Sequence, residues 1–109
     1  MKIENVPFAK IDWQKLPATT NPGASGTITS RIQQLGSIRV RMVEYSPGYL
    51  ADHWCLKGHL LLVLEGKLTT ELQDGRTFEL TAGQSYQVED DTTPHRSQTD
   101  TGARLFIVD

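Results

Sequence analysis

Three imidazoles and a single thiol are the side chains of this 109-residue chain best suited to hold a soft or borderline metal ion, methionine aside. His53, Cys55 and His59 fall within seven consecutive residues, and His95 follows Pro94 well downstream. Imidazole nitrogen and thiolate sulfur bind metals at about 2.0–2.3 Å, so such groups serve one ion only when the backbone brings them together. If Asp52 to Cys55 is extended, His53 and Cys55 share one face while Asp52 and Trp54 take the other. Lys57-Gly58 then kinks the chain, and His59 opens the next strand beside the first pair. Three imidazoles with open positions suit Fe(II), Ni, Mn or Zn, and an added thiolate shifts the preference toward Zn, Cu(I) or Fe. Each residue alone has a plainer explanation. A buried His is usually a hydrogen-bonded core residue, and a lone Cys is usually a small hydrophobe. Cysteine nucleophilic catalysis would require a base within hydrogen-bond reach and an oxyanion hole, and the sequence signals neither.

The elements that position these residues have the two-residue period of strands. Ile38, Val40 and Met42 alternate with Arg39 and Arg41, which predicts a half-buried strand with Arg39, Arg41 and Glu44 most simply on its solvated side. Leu60 to Leu64 reads as a strand buried on both faces. Leu68, Thr70 and Leu72 lead to an Asp74-Gly75 turn and a returning strand from Thr77 to Leu80, a hairpin signature. Ser85 to Val88 and Leu105 to Val108 are further short strands, and His95 starts another. Turn signals recur at Pro47-Gly48, Lys57-Gly58, Glu65-Gly66, Ala82-Gly83 and Thr101-Gly102, with Asp90 and Asp91 as turn residues. No stretch carries a capped helical period. Many short strands so spaced predict an all-β sandwich or small barrel, whose interior is the natural ligand cavity. Tyr49, Tyr86 and Arg41 are the candidates for its polar lining.

Composition narrows the class. Eleven Lys and Arg against thirteen Asp and Glu leave a net charge of -2, without the basic face a nucleic-acid partner requires. One cysteine cannot form an internal disulfide. The first ten residues hold Glu4 and no long apolar run, so neither a signal peptide nor a membrane span is expected, and the expectation is a cytoplasmic protein. Residues 1–26 differ from the rest: Pro7, Pro17, Pro22, Gly23 and Gly26 exclude a helix or a central strand, while Phe8 and Trp13 are large apolar groups. The expected organisation is an irregular N-terminal arm over 1–26, docked on the core or on a partner subunit, and one barrel over 27–109.

The block from Gly48 to Gly66 resembles the first motif of the cupin superfamily, G-x5-H-x-H-x3–4-E-x6-G. Gly48 lies one residue nearer to His53 than usual. His53 matches the first histidine, Cys55 stands where the second would be, and His59 stands where the glutamate would be. Gly66 falls at the expected distance, within Leu62-Val63-Leu64-Glu65-Gly66, which is similar to the YVLEG of small cupins. The second motif, G-x5-P-x-G-x2–3-H-x3-N, is matched more loosely from Gly83, with Glu89 for its proline, Asp91 for its glycine, His95 as its histidine and Thr99 for its asparagine. The chain also resembles a group of small bacterial cupins with an Asp-His-Cys-Trp motif, since Asp52-His53-Trp54-Cys55 has that composition.

This resemblance implies a double-stranded β-helix, the cupin jelly-roll barrel, with one divalent metal (Zn, Fe, Ni or Mn) inside it. Carried over position by position, the ligands are His53, His59 and His95, with Cys55 as a fourth. It implies a small-molecule substrate or ligand, a dioxygenase-like reaction with Tyr49 or Tyr86 as proton donor, and a homodimer. Two other readings stand beside it: a non-catalytic ligand-binding or sensory cupin, and a metal-independent isomerase or epimerase using a His base and a Tyr acid.

Overall fold

A computed structural model of the chain describes residues 2–109. Eight strands follow in order: β1 (Thr19–Pro22), β2 (Thr27–Leu35), β3 (Ile38–Tyr45), β4 (His59–Leu72), β5 (Thr77–Thr81), β6 (Ser85–Val88), β7 (His95–Gln98) and β8 (Ala103–Val108). Among the described residues the only helical piece is a 3-10 turn, Trp13–Lys15, capped by the Asp12 carboxylate on the Gln14 amide. All strand pairs are antiparallel, along the path β1-β2-β3-β8-β4-β5, with β6 and β7 also on β4. The expected all-β jelly roll is what the chain forms. No helix among the described residues is long and apolar enough to cross a membrane.

β4 organises the molecule. Its first half pairs with β8 and β6, and its second half pairs with β5 and β7, so one strand passes through both sheets. The passage is made at a register shift between Val63 and Glu65. There Gly66 takes φ +80°, and a Cβ on it would land on the Gly102 carbonyl. A bulge with a left-handed glycine bends a strand in this way. The hairpin after Leu72 closes around Asp74-Gly75, as expected, with the Gly75 amide donating to the Leu72 carbonyl.

Several expectations are corrected by the way the sheets face. Arg41, Ile107, Leu61 and Tyr86 lie in one cross-strand row, and Leu61 and Ile107 are core residues. The Arg39–Arg41 side of β3 therefore points inward, with Val43 and Tyr45, while Val40 and Met42 point outward. Two causes act together. Asp109 gives the arginines a shared counter-charge inside, and the outer face is partly covered by the arm, whose Trp13 ring meets Phe106 edge-on at 6.3 Å. Leu60 to Leu64 is not buried on both sides: Leu61 and Val63 are in the core, whereas Leu60 is 50% exposed and Leu64 37%. Nor is the arm irregular throughout. Thr19–Pro22 forms β1 at the sheet edge, where Pro22 interrupts no inner ladder.

Candidate metal centre

Cys55 and His95 are locked face to face. The Cys55 amide donates to the His95 carbonyl at 2.7 Å and the His95 amide donates back to Cys55 at 3.1 Å, an isolated antiparallel bridge outside the named strands. Residues exchanging both bonds stand directly opposite, so their side chains emerge together on one face. His59, the first residue of β4, is delivered by the Lys57-Gly58 kink. The Gly58 amide donates to the Asp90 carboxylate at 2.6 Å, and the Asp91 amide donates to the Leu56 carbonyl, which ties the kink to the 90–91 corner. One ligand atom from each of Cys55, His59 and His95 lies within 4.8 Å of the other two. The two imidazoles meet edge to face at 4.9 Å between centroids.

The hydrogen bonds set which nitrogens are free. His95 Nδ1 is 2.7 Å from the Thr93 carbonyl, an acceptor only, so Nδ1 carries the proton and Nε2 keeps its lone pair. His59 Nε2 is 2.9 Å from the Tyr86 hydroxyl. The nitrogens left over, His59 Nδ1 and His95 Nε2, are buried without a hydrogen-bond partner, as are Thr70 Oγ1 and Arg41 Nε. Buried polar atoms are seldom left unpaired, because each forfeits its hydration for nothing in return. Two lone pairs and a thiol gathered in one place fit a borderline divalent ion, and three protein ligands leave positions open for a further one.

Electrostatics favour the ligating forms of His59 and Cys55. Burial, assisted by the nearby charges of His95 and Arg41, pulls the His59 pKa down to about 4, so the ring is neutral. The sulfur–imidazole interaction with His95 lowers the Cys55 thiol from its ordinary value against the opposing effect of burial, and the same interaction raises His95. Burial pushes the Tyr86 phenol well above its usual range, so it stays protonated.

The other expected residues lie elsewhere. His53 sits in a bend rather than a strand, its side chain 75% exposed and its Nδ1 2.6 Å from the Asp52 carboxylate. The structure does not bring it to Cys55, because residues 52–54 do not continue the extended pairing that Cys55 makes. Trp54 turns outward, with the Arg96 guanidinium 4.5 Å over its ring. Tyr49 is in the core, stacked on Tyr45 at 4.3 Å, and burial pushes its phenol up to about 12. Tyr86 does reach the centre. A cavity of about 390 Å³ opens beside it, lined by Thr70, Leu72, Phe78, Tyr86, Val88 and His95 among others. The Thr99 hydroxyl, at the asparagine position of the second motif, donates to the Lys67 carbonyl and accepts from the Gly102 amide, a structural role.

Asp109 was missed from the sequence. Its carboxylate is 1% exposed, takes a two-pronged ion pair from Arg39 at 2.9 Å and a further bond from Arg41 at 3.0 Å. It sits one register step beyond the Leu60–Val108 pair, which places it opposite His59. The signal was present in the continuing alternation Leu105, Ile107, Asp109.

No protein-family model and no curated protein sequence matches the chain. Solved structures do match. A sugar phosphate isomerase from a cupin superfamily, from Silicibacter pomeroyi, superposes with a TM-score of 0.71 over 92% of this chain and 74% of its own, at 19% identity. Ectoine synthase from P. lautus gives 0.72 over 93% of this chain and 76% of its own, at 18% identity. FeII HppE gives 0.74 over 93% of this chain, which spans 59% of that longer one, at 16% identity. Identities this low speak for the fold alone. The fold of this chain is the cupin jelly roll.

Proposed function

We propose that this chain binds one divalent metal ion through Cys55, His59 and His95 and holds a small organic molecule in the adjoining cavity, with Tyr86 as the proton-bearing group. The observation that carries the reading is the pair of buried, unpartnered ring nitrogens, His59 Nδ1 and His95 Nε2, gathered with the Cys55 sulfur within 4.8 Å. The thiolate and two imidazoles favour Zn or Fe over Mn. A metal held there supplies Lewis-acid polarisation of a ligand oxygen. The chain's own residues do the rest. With Nδ1 committed to ligation, His59 carries its proton on Nε2 and donates it to the Tyr86 oxygen, fixing the ring as outer partners of metal ligands do. The Tyr86 O–H is then free to donate to a molecule in the cavity. The metal named with HppE and the isomerase chemistry named for the Silicibacter relative are both compatible with this site.

A metal-free isomerase, with His59 as base and Tyr86 as acid, finds support in their 2.9 Å contact. Its weakness is the His59 pKa of about 4, far from the neutral value that suits a general base. Untagged protein loaded with zinc or cobalt decides between them. Close to one metal per chain by elemental analysis is expected, with a sulfur-to-cobalt absorption band that Cys55→Ser removes. His59→Ala and His95→Ala should lose the metal, and His53→Ala should keep it. A wild-type protein that takes up no metal after reconstitution overturns the reading, as does a His53→Ala variant that loses it.

A further inference from the structure

The inward face of β3 carries more positive charge than the protein neutralises. Asp109 is matched in full by Arg39, whose Nε and one terminal nitrogen reach its two carboxylate oxygens at 2.9 Å. Arg41 is a second guanidinium on the same carboxylate, attached through one terminal nitrogen only. Its side chain is 16% exposed, and its Nε is buried with no partner. An isolated charge removed from water is costly unless a counter-charge meets it, and a guanidinium presents a fork whose natural complement is a planar or tetrahedral oxyanion.

The location gives this surplus a use. Arg41 stands in the inward row that runs through Ile107 and Leu61 to Tyr86, and Asp109 is opposite His59. The field of Arg41 is felt at His59, Tyr45 and Tyr86, and Lys57 adds its charge near Asp109. The Cys55–His59–His95 cluster and the partly bonded Arg41 guanidinium, its Nε unpartnered, therefore belong to one barrel interior. The cavity beside Tyr86 and His95 has an apolar stretch, Leu72, Phe78 and Val88, that suits a carbon skeleton, and its other walls carry polar residues such as Thr70, Arg76 and Glu89.

We propose that the molecule taken into the barrel is a small organic oxyanion, a carboxylate or a phosphate monoester, whose charged end is held by Arg41. The inference rests on the barrel interior being the ligand site, and it extends that reading by naming the ligand class. Arg41 acts here as a binding residue that selects anions and orients the skeleton toward Tyr86. A neutral polyol of the same size offers Arg41 no counter-charge and is rejected, because a site built to bond a group discriminates against ligands lacking it.

Calorimetric titration tests this with two probe series at constant ionic strength: succinate against succinamide, and glycerol 3-phosphate against glycerol. Each is run on chelator-treated and on zinc-loaded protein. Saturable binding of one anion series and none of its neutral partner is expected in both forms, and the series that binds identifies carboxylate or phosphate. Arg41→Met should weaken the anion at least about tenfold, as loss of a buried charge partner does. Arg41→Lys should recover part of it, and Arg104→Gln, which removes a charge from the outer face, should change it less than about twofold. Circular dichroism and the unfolding midpoint establish that each variant is folded; Arg41→Met retains the Arg39–Asp109 pair and should be. Anions that fail to bind either form, or that bind both Arg41 variants as well as wild type, overturn the proposal. Zinc stoichiometry, measured on the same samples, reports on the metal reading separately: zinc held without anion binding sinks only the anion, and anion binding without zinc sinks only the metal.

Discussion

His59 is the residue whose environment says most about the centre. A neutral imidazole buried among His95, Arg41 and Tyr86 refuses a proton that the unfolded chain accepts. Between pH 6.5 and about 4 the unfolded state thus binds more protons, and the metal-free protein loses stability as pH falls through that window. His95 has the opposite sign and another window. Its pKa is raised, so its contribution is complete below its unfolded value and is lost as pH rises through the folded one. The two therefore do not cancel in mildly acidic solution. For a ring that is only partly buried, the His59 effect should be about 1–2 kcal/mol. Denaturant unfolding of metal-free protein at pH 6.5, 5.5 and 4.5 should show that decline, and His59→Gln should flatten it by a similar amount. An unchanged slope in the variant would mean that burial does not suppress the ring's protonation.

β4 is the element on which the centre depends, since it starts at a ligand and then crosses between sheets. Its turning point needs Gly66: the φ of +80° disfavours any side chain, and a methyl group would collide with the Gly102 carbonyl, which is backbone and cannot swing aside. Gly66→Ala is expected to cost on the order of 3 kcal/mol of unfolding free energy, the cost of strain and of displacing β8 together. Gly75→Ala is the useful contrast, because it also has positive φ yet nothing within 4 Å, so only the dihedral penalty of about 1 kcal/mol should appear. Equal losses in thermal unfolding would show that the close approach of β4 to the Gly102 turn contributes nothing.

Across the whole molecule, the outer apolar face of the sheet sets the behaviour in solution. Phe106, Met42 and Leu62 share that face, Leu60 is half exposed on it, and Trp13 covers one part through its contact with Phe106. Removing the indole uncovers that part without touching the barrel interior. Trp13→Ala should lower stability by about 1–2 kcal/mol, less than a fully buried tryptophan would, while metal uptake is retained. Light scattering on the same variant reports on the homodimer that the family resemblance implied: if the arm helps to join two copies, the measured mass falls toward that of one chain. Loss of metal by this variant would show instead that the arm supports the centre.

The period-two pattern, the Asp74-Gly75 hairpin, the strands at Ser85–Val88 and Leu105–Val108, and the clustering of His53, Cys55 and His59 were legible in the order of residues, whereas His95 joined them only through the family resemblance. Each legible feature depends on local rules, namely which side chains alternate, which residues turn, and which types ligate metals. Alternation, however, defines two faces of a strand without stating which one is inside. That is why Arg39 read as solvated, and Arg41 as either solvated or lining the interior, until Asp109, a strand away, gave them a buried counter-charge. It is also why Leu60 to Leu64 read as buried on both sides. His53 and Cys55 looked equivalent because two-residue spacing puts them together on any extended segment. The tertiary structure separated them through a pair of backbone hydrogen bonds between Cys55 and His95, residues far apart in the chain, whose pairing turns one thiol inward and leaves His53 at the surface. Residue types set which chemistry is available to this protein; long-range strand pairing selects which of those residues meet, because only a paired backbone fixes the direction of a side chain.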